Sequence, residues 1–136
     1  MLIMLGEEYA ILNFDRVLNY AVRVSDRYQR RLSLVMLGGD DQGSDLTCLL
    51  TPHLRRSDEL LEFRDCAAVL MSETGGDGAM RAVQRFKARC SDRPDVRYAI
   101  ATFPEDGEAA SKLFISARRR LDAARDQGPG AVVATG

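Results

Sequence analysis

At 136 residues with a formal net charge of -1, the chain is long enough to bury a core unaided, and its charge balance supplies no field towards nucleic acid or an anionic membrane. Nucleic acid and membrane are therefore not expected as partners. Cys48, Cys66 and Cys90 are odd in number and lack any Cys-x-x-Cys pairing, which argues against a disulfide framework or a zinc site and for a reducing, cytoplasmic setting.

Residues 1–5 are apolar but run straight into Glu7 and Glu8 with no basic region before them, so they do not read as a signal segment. No other stretch is long and apolar enough to span a bilayer. The expected organisation is one domain over 1–136, with 1–13 leading into the first helix.

Over residues 7–30, Phe14, Val17, Leu18, Ala21, Val22 and Tyr28 recur at three- and four-residue steps, which predicts an amphipathic helix. Residues 32–37 form a nearly continuous apolar run ended by Gly38-Gly39-Asp40-Asp41, the pattern of a strand covered on both faces. Residues 45–53 predict a short helix, with Ser44 or Asp45 as N-cap and Pro52 breaking it near its end. Two short strands follow over 60–63 and 66–71, joined by Arg64-Asp65 at the spacing of a tight hairpin, although the turn lacks the favoured glycine.

After a loop over 72–78, Ala79, Met80, Val83, Phe86 and Cys90 describe the buried stripe of a second long helix. Residues 96–103 read as a strand closed by the turn Pro104-Glu105-Asp106-Gly107. Leu113, Phe114, Ala117, Leu121 and Ala124 mark the last helix, which stops at Gly128-Pro129 before a final short strand over 131–134. This order predicts an α/β (α+β) fold with a βαββαβ core: a central mixed sheet of about five strands with helices packed on its faces.

Four segments carry a family likeness. Residues 96–107, Val-Arg-Tyr-Ala-Ile-Ala-Thr-Phe-Pro-Glu-Asp-Gly, follow a strand and turn of the form VTVSIGIATFPEDG, with Arg97 and Ala99 in place of its Ser and Gly. Residues 113–125 keep the spacing of LLxxADxALYxAK at Ala117, Leu121 and Ala124, with Arg118 where an Asp is usual. Residues 31–40 follow a strand ending in DxD, and residues 55–71 follow RxxDxxxRxGGDEFxxLL. In this order the segments resemble the GGDEF (diguanylate cyclase) domain of bacteria in a strongly degenerate form, which implies a nucleotide-cyclase-like fold.

The resemblance implies a lost activity. A cyclase of this family condenses two GTP molecules and needs carboxylates at the end of the first strand and in the hairpin to hold divalent metal ions. Gly38 stands at the first of those positions, and Asp40 keeps only the second Asp of DxD. The signature hairpin is replaced by about Phe63-Arg64-Asp65-Cys66-Ala67. Its two glycines, which let a nucleotide approach the backbone closely, are gone. The segment that carries the family's guanine and phosphate contacts is shortened as well. The expectation is no cyclase activity, no catalytic residue, no metal and no resident cofactor.

A regulatory ligand remains. The family's inhibitory site for cyclic di-GMP is an RxxD motif just before the signature hairpin, and Arg55-Arg56-Ser57-Asp58 stands there. Arginine can donate two hydrogen bonds to the O6/N7 edge of guanine, and a carboxylate can accept from its N1/N2 edge. Arg81 and Arg85 are four residues apart on the following helix, so they share a face and are the expected helpers of Arg55 and Asp58.

The resemblance thus predicts a cyclic di-GMP receptor passing its signal to an unidentified protein partner. The alternative is a nucleotide-independent protein-interaction or dimerisation module, acting through the long first helix, with a homodimer among its forms. Other conspicuous residues read as structural. Gly75-Gly76-Asp77 is a loop leading into a helix, His53 a surface loop residue, Cys66 a small core residue, and Arg118-Arg119-Arg120 the wet face of the last helix.

Overall fold

The computed structural model describes residues 6–39 and 43–136; of residues 6–13, 43–45 and 48 only the backbone is described. In chain order the elements are α1 (Gly6–Arg27), β1 (Leu32–Gly38), α2 (Gly43–Leu50), a 3-10 turn (Thr51–His53), β2 (Asp58–Glu62) and β3 (Ala67–Ser72). They continue with α3 (Gly76–Arg89), β4 (Arg97–Phe103), α4 (Ala110–Gln127) and β5 (Val132–Val133). The five strands form one mixed sheet in the order β2-β3-β1-β4-β5. Three neighbouring pairs are antiparallel and β4 pairs with β5 in parallel.

The continuous apolar run of β1 follows from its central place, for all seven residues are buried. Successive side chains point to opposite faces of a strand. Leu32, Leu34 and Met36 accordingly join the core under α1 and α4, with Phe14, Leu18, Phe63, Leu113, Ala117 and Leu121. Val35 and Leu37 join the core under α2 and α3, with Leu46, Leu50, Val83, Phe86 and Ile100. Ser33, the one polar residue of the strand, is fully buried and bonds the Thr74 carbonyl at 2.8 Å and the Thr102 hydroxyl at 3.0 Å. Hydrogen bonding of this kind removes the cost of burying a hydroxyl.

Three boundaries differ from the sequence pattern, each for a local reason. The first helix ends at Arg27, not residue 30, because Gln29 takes a left-handed conformation (φ 55) and the Arg30 amide bonds back to the Ser25 carbonyl at 2.8 Å. The second helix already includes Gly43, so Ser44 and Asp45 lie in its first turn and are not its cap, while Pro52 falls in the tighter 3-10 turn that ends it. Strand β2 starts two residues early, which makes Asp58 its first residue.

The hairpin is as tight as its spacing suggests. Glu62 pairs with Ala67, and the Phe63 amide bonds the Cys66 carbonyl at 2.8 Å, leaving Arg64-Asp65 as the loop. The positive-φ non-glycine residues are Gln29 and Glu73, so this loop is not one of the primed turns that need positive φ. Long-range contacts from α4 hold its tip. Among the described residues no helix is long and apolar enough to cross a membrane.

Candidate functional site

Two ends of the sheet gather charged side chains. At the start of β1, a cleft of about 480 Å³ opens between the β2–β3 edge and the N-terminus of α3. Arg31, Arg55, Arg81 and Arg85 line it, with Glu73, Thr74, Asp77 and the backbone of Gly75, Gly76 and Gly78. Four arginines from three separate segments thus face two carboxylates. Arg30 pairs with Glu73 and Arg31 with Glu105 at 3.0 Å. Arg81 and Arg85 are exposed and have no ion-pair partner among the described residues.

The local sequence explains the helix end that faces the cleft. Gly75 caps α3 in an extended conformation and no side chain bonds the helix's first amides. Those amides, together with the helix dipole, favour a negative charge at this end. Gly75 and Gly76 are a helix-leading loop as expected, and they also line the cleft, a role their sequence did not announce.

Arg55 is held in place before any ligand arrives. Its Nη2 donates to Asp58 Oδ1 at 3.3 Å and to Thr74 Oγ1 at 2.8 Å, while its backbone amide donates to Asp58 Oδ2 at 2.8 Å. The Thr74 carbonyl in turn accepts from Ser33, so the arginine is tied to the centre of the sheet. The Asp58 side chain is 0% exposed. It therefore grips Arg55 and does not line the cleft, a correction to the expectation that it would face a ligand directly. Arg55, Arg81 and Arg85 do come together. Arg31 and Thr74 were not foreseen, because only the folded sheet brings them to the same wall.

The other end of β1 lies seven residues on, roughly 20 Å away. A Cβ at Gly38 would meet Arg125 Nη2 at 2.6 Å and the Asp65 carbonyl at 3.0 Å, so the space an aspartate would need is filled. Asp65, at the hairpin tip, bonds Arg118 at 2.5 and 3.3 Å, and Arg125 bonds its carboxylate at 3.5 Å and its carbonyl at 2.9 Å. Among the described residues no group of three His, Cys, Asp or Glu could hold a metal ion; Asp40 lies outside the described residues. The residues present at this end do not fit a divalent metal.

The Arg118 hydrogen bond, opposed by burial and aided by the charges of Arg118 and Arg125, lowers the Asp65 carboxyl from its ordinary 3.8 to about 2. A group whose pKa is depressed by folding contributes stability that is complete above its unfolded value and is lost as pH falls through the folded one. Asp65→Asn should therefore be less stable than the parent near neutral pH, with the difference closing between about pH 4 and pH 2 in urea-unfolding curves. Burial first, and then the Asp65 charge, push the Cys66 thiol up to about 12. Fully buried and protonated, Cys66 is a core residue and not a nucleophile.

The arginine run of α4 departs from its expected role as one wet face. Arg119 is exposed, Arg118 reaches Asp65, and Arg120 is 6% exposed, bonding the Ile100 carbonyl at 2.8 Å and Asp106 at 2.9 Å. Three consecutive helix residues are spread over about 200° of the helix surface, so they cannot share one face. His53 ends the 3-10 turn, half-buried.

No family model matches the chain, and no curated protein matches it significantly in sequence. Solved structures match its fold. The GGDEF domain of YfiN (TpbB) from Pseudomonas aeruginosa superposes with a TM-score of 0.81 at 20% identity, covering 92% of this chain and 94% of that one. The FimX GGDEF domain from the same organism gives 0.78 at 16% identity, with 89% and 91% covered. The active GGEEF domain of a diguanylate cyclase from Vibrio cholerae gives 0.75 at 11% identity, with 88% and 92% covered. Strand order, helix placement and these likenesses together establish the chain as a GGDEF-like domain in fold.

Proposed function

We propose that this GGDEF-like domain is a non-catalytic receptor that binds cyclic di-GMP in the Arg55 cleft. The observation that carries the reading is the convergence of Arg55, Arg81 and Arg85 on one cleft at the uncapped end of α3, with Arg31 as a fourth cation. Both side-chain contacts of Arg55 use Nη2. Its Nη1 and Nε donors are left for a guanine edge or a phosphate. Asp58 acts as a positioning residue, and Arg81 and Arg85 offer charge-assisted bonds to phosphate.

The absence of cyclase activity is part of the same reading. Catalysis on this fold would need a metal-binding carboxylate at position 38, where Arg125 fills the space, and an open hairpin tip, where Arg118 and Arg125 hold Asp65. The cleft and that tip lie at opposite ends of the sheet, which makes the reading testable by location. Titrating cyclic di-GMP into the 15N-labelled chain should move the amide resonances of Arg55, Thr74, Gly75, Gly76 and Arg81 and leave those of Gly38, Arg64 and Asp65 in place. Shifts centred on Gly38 and Asp65 would move the ligand to the cyclase end and overturn the assignment.

A further inference from the structure

The outer face of α1 carries a second surface that the nucleotide reading does not use. Tyr20, Val24 and Tyr28 are 64%, 37% and 58% exposed, the large apolar residues of α1 left uncovered by the fold. Spaced by four, they form one stripe on the helix. Beside the stripe a groove of about 480 Å³ runs between α1 and the β2–β3 edge, floored by Val17, Ala21 and Leu70 and bounded by Ser57, Glu59 and Ser72. An apolar stripe next to an apolar groove is the form of a helix- or peptide-binding surface.

Charge selects the occupant. Arg16, Arg23 and Arg27 are exposed along the flank of the stripe away from the groove, and none of the three has an ion-pair partner among the described residues. Arg27 lies over the Tyr28 ring at 5.7 Å, which joins the basic row to the aromatic one. Asp15 and Asp26 are half a turn away, on the far side of the arginines. An antiparallel pairing of two copies through this stripe would set arginine against arginine, a repulsive arrangement. A segment with carboxylates beside its apolar side chains would meet both features at once.

We infer that Tyr20, Val24, Tyr28 and the adjoining groove dock an acidic amphipathic segment of another protein, whose apolar side chain enters the groove while its carboxylates meet Arg23 and Arg27. Its place on α1, away from the Arg55 cleft, makes it independent of whether that cleft binds a nucleotide. Glu73 lies in the wall of both the cleft and the groove.

The test uses a synthetic helical peptide with leucines on one face and glutamates beside them, and a second peptide with lysine for glutamate. The acidic peptide should bind the 15N-labelled chain with shifts at Val17, Tyr20, Val24 and Tyr28. Arg23→Glu with Arg27→Glu should weaken it about tenfold or more, and Val24→Ser should weaken it while leaving the circular dichroism spectrum unchanged. Equal binding of the lysine peptide, shifts away from α1, or no binding of the acidic peptide at millimolar concentration would each overturn the inference. A dimer in sedimentation that Val24→Ser dissolves would overturn it as well, by assigning the stripe to a second copy.

Discussion

Reversing both charges on the outer turn of α3, Arg81→Glu with Arg85→Glu, is expected to weaken cyclic di-GMP binding by a factor of about 100 or more. Each arginine supplies a charge-assisted hydrogen bond to phosphate, and one such bond contributes about 1.5–3 kcal/mol. Reversal also places carboxylates beside the ligand's phosphates. Both residues are exposed, so the thermal midpoint should move little, as surface substitutions usually change stability by about 0.5 kcal/mol or less. Binding lost with the fold intact is the signature of a cleft residue. The readout is calorimetric titration beside a melting curve of the same preparation.

The largest effect on stability belongs to Arg120. Its side chain is 7% exposed and spans from α4 to the Ile100 carbonyl in β4 and the Asp106 carboxylate, which also accepts the Thr102 amide at 2.8 Å. Arg120→Ala would leave the Asp106 carboxylate, 21% exposed, without its cation. Breaking a buried pair from one side costs about 3–5 kcal/mol. The expected fall in melting midpoint is roughly 10 °C or more. Arg118→Ala is the contrast: its side chain is 35% exposed, and a pair so open to water contributes about 1 kcal/mol or less. Equal losses for the two substitutions would show that burial is not what sets the strength of these pairs.

Periodicity made most of this fold legible. The apolar run of β1 and the Ala79–Val83–Phe86 stripe of α3 stand out because a strand buried on both faces and a helix buried on one leave patterns that no other arrangement needs. Gln29 shows where such reading stops: its left-handed turn ends α1 without a glycine to signal it. Arg120 is a second case. Arginine at the third place of a basic run reads as solvated, and only the approach of Asp106 from the turn before α4 permits its burial.

The cleft was partly legible for the same kind of reason. Arg55 stood out by its place before the hairpin, and Arg81 and Arg85 by their spacing of four, which is local information. Asp58 was assigned to the ligand, but its position as the first residue of β2 turns it onto Arg55, with its side chain 0% exposed. Arg31 and Thr74 join through strand pairing: Leu32 pairs with Ser72, which places the residues just outside both strands side by side. No local pattern encodes that pairing.

Calorimetric titration of cyclic di-GMP into the chain, with Arg55→Ala in parallel, tests the central claim most directly. The account predicts saturable binding by the parent and its loss in Arg55→Ala, since that substitution removes the arginine that Asp58 and Thr74 hold at the cleft. Undiminished binding by Arg55→Ala, or no binding by the parent at millimolar ligand, would contradict it.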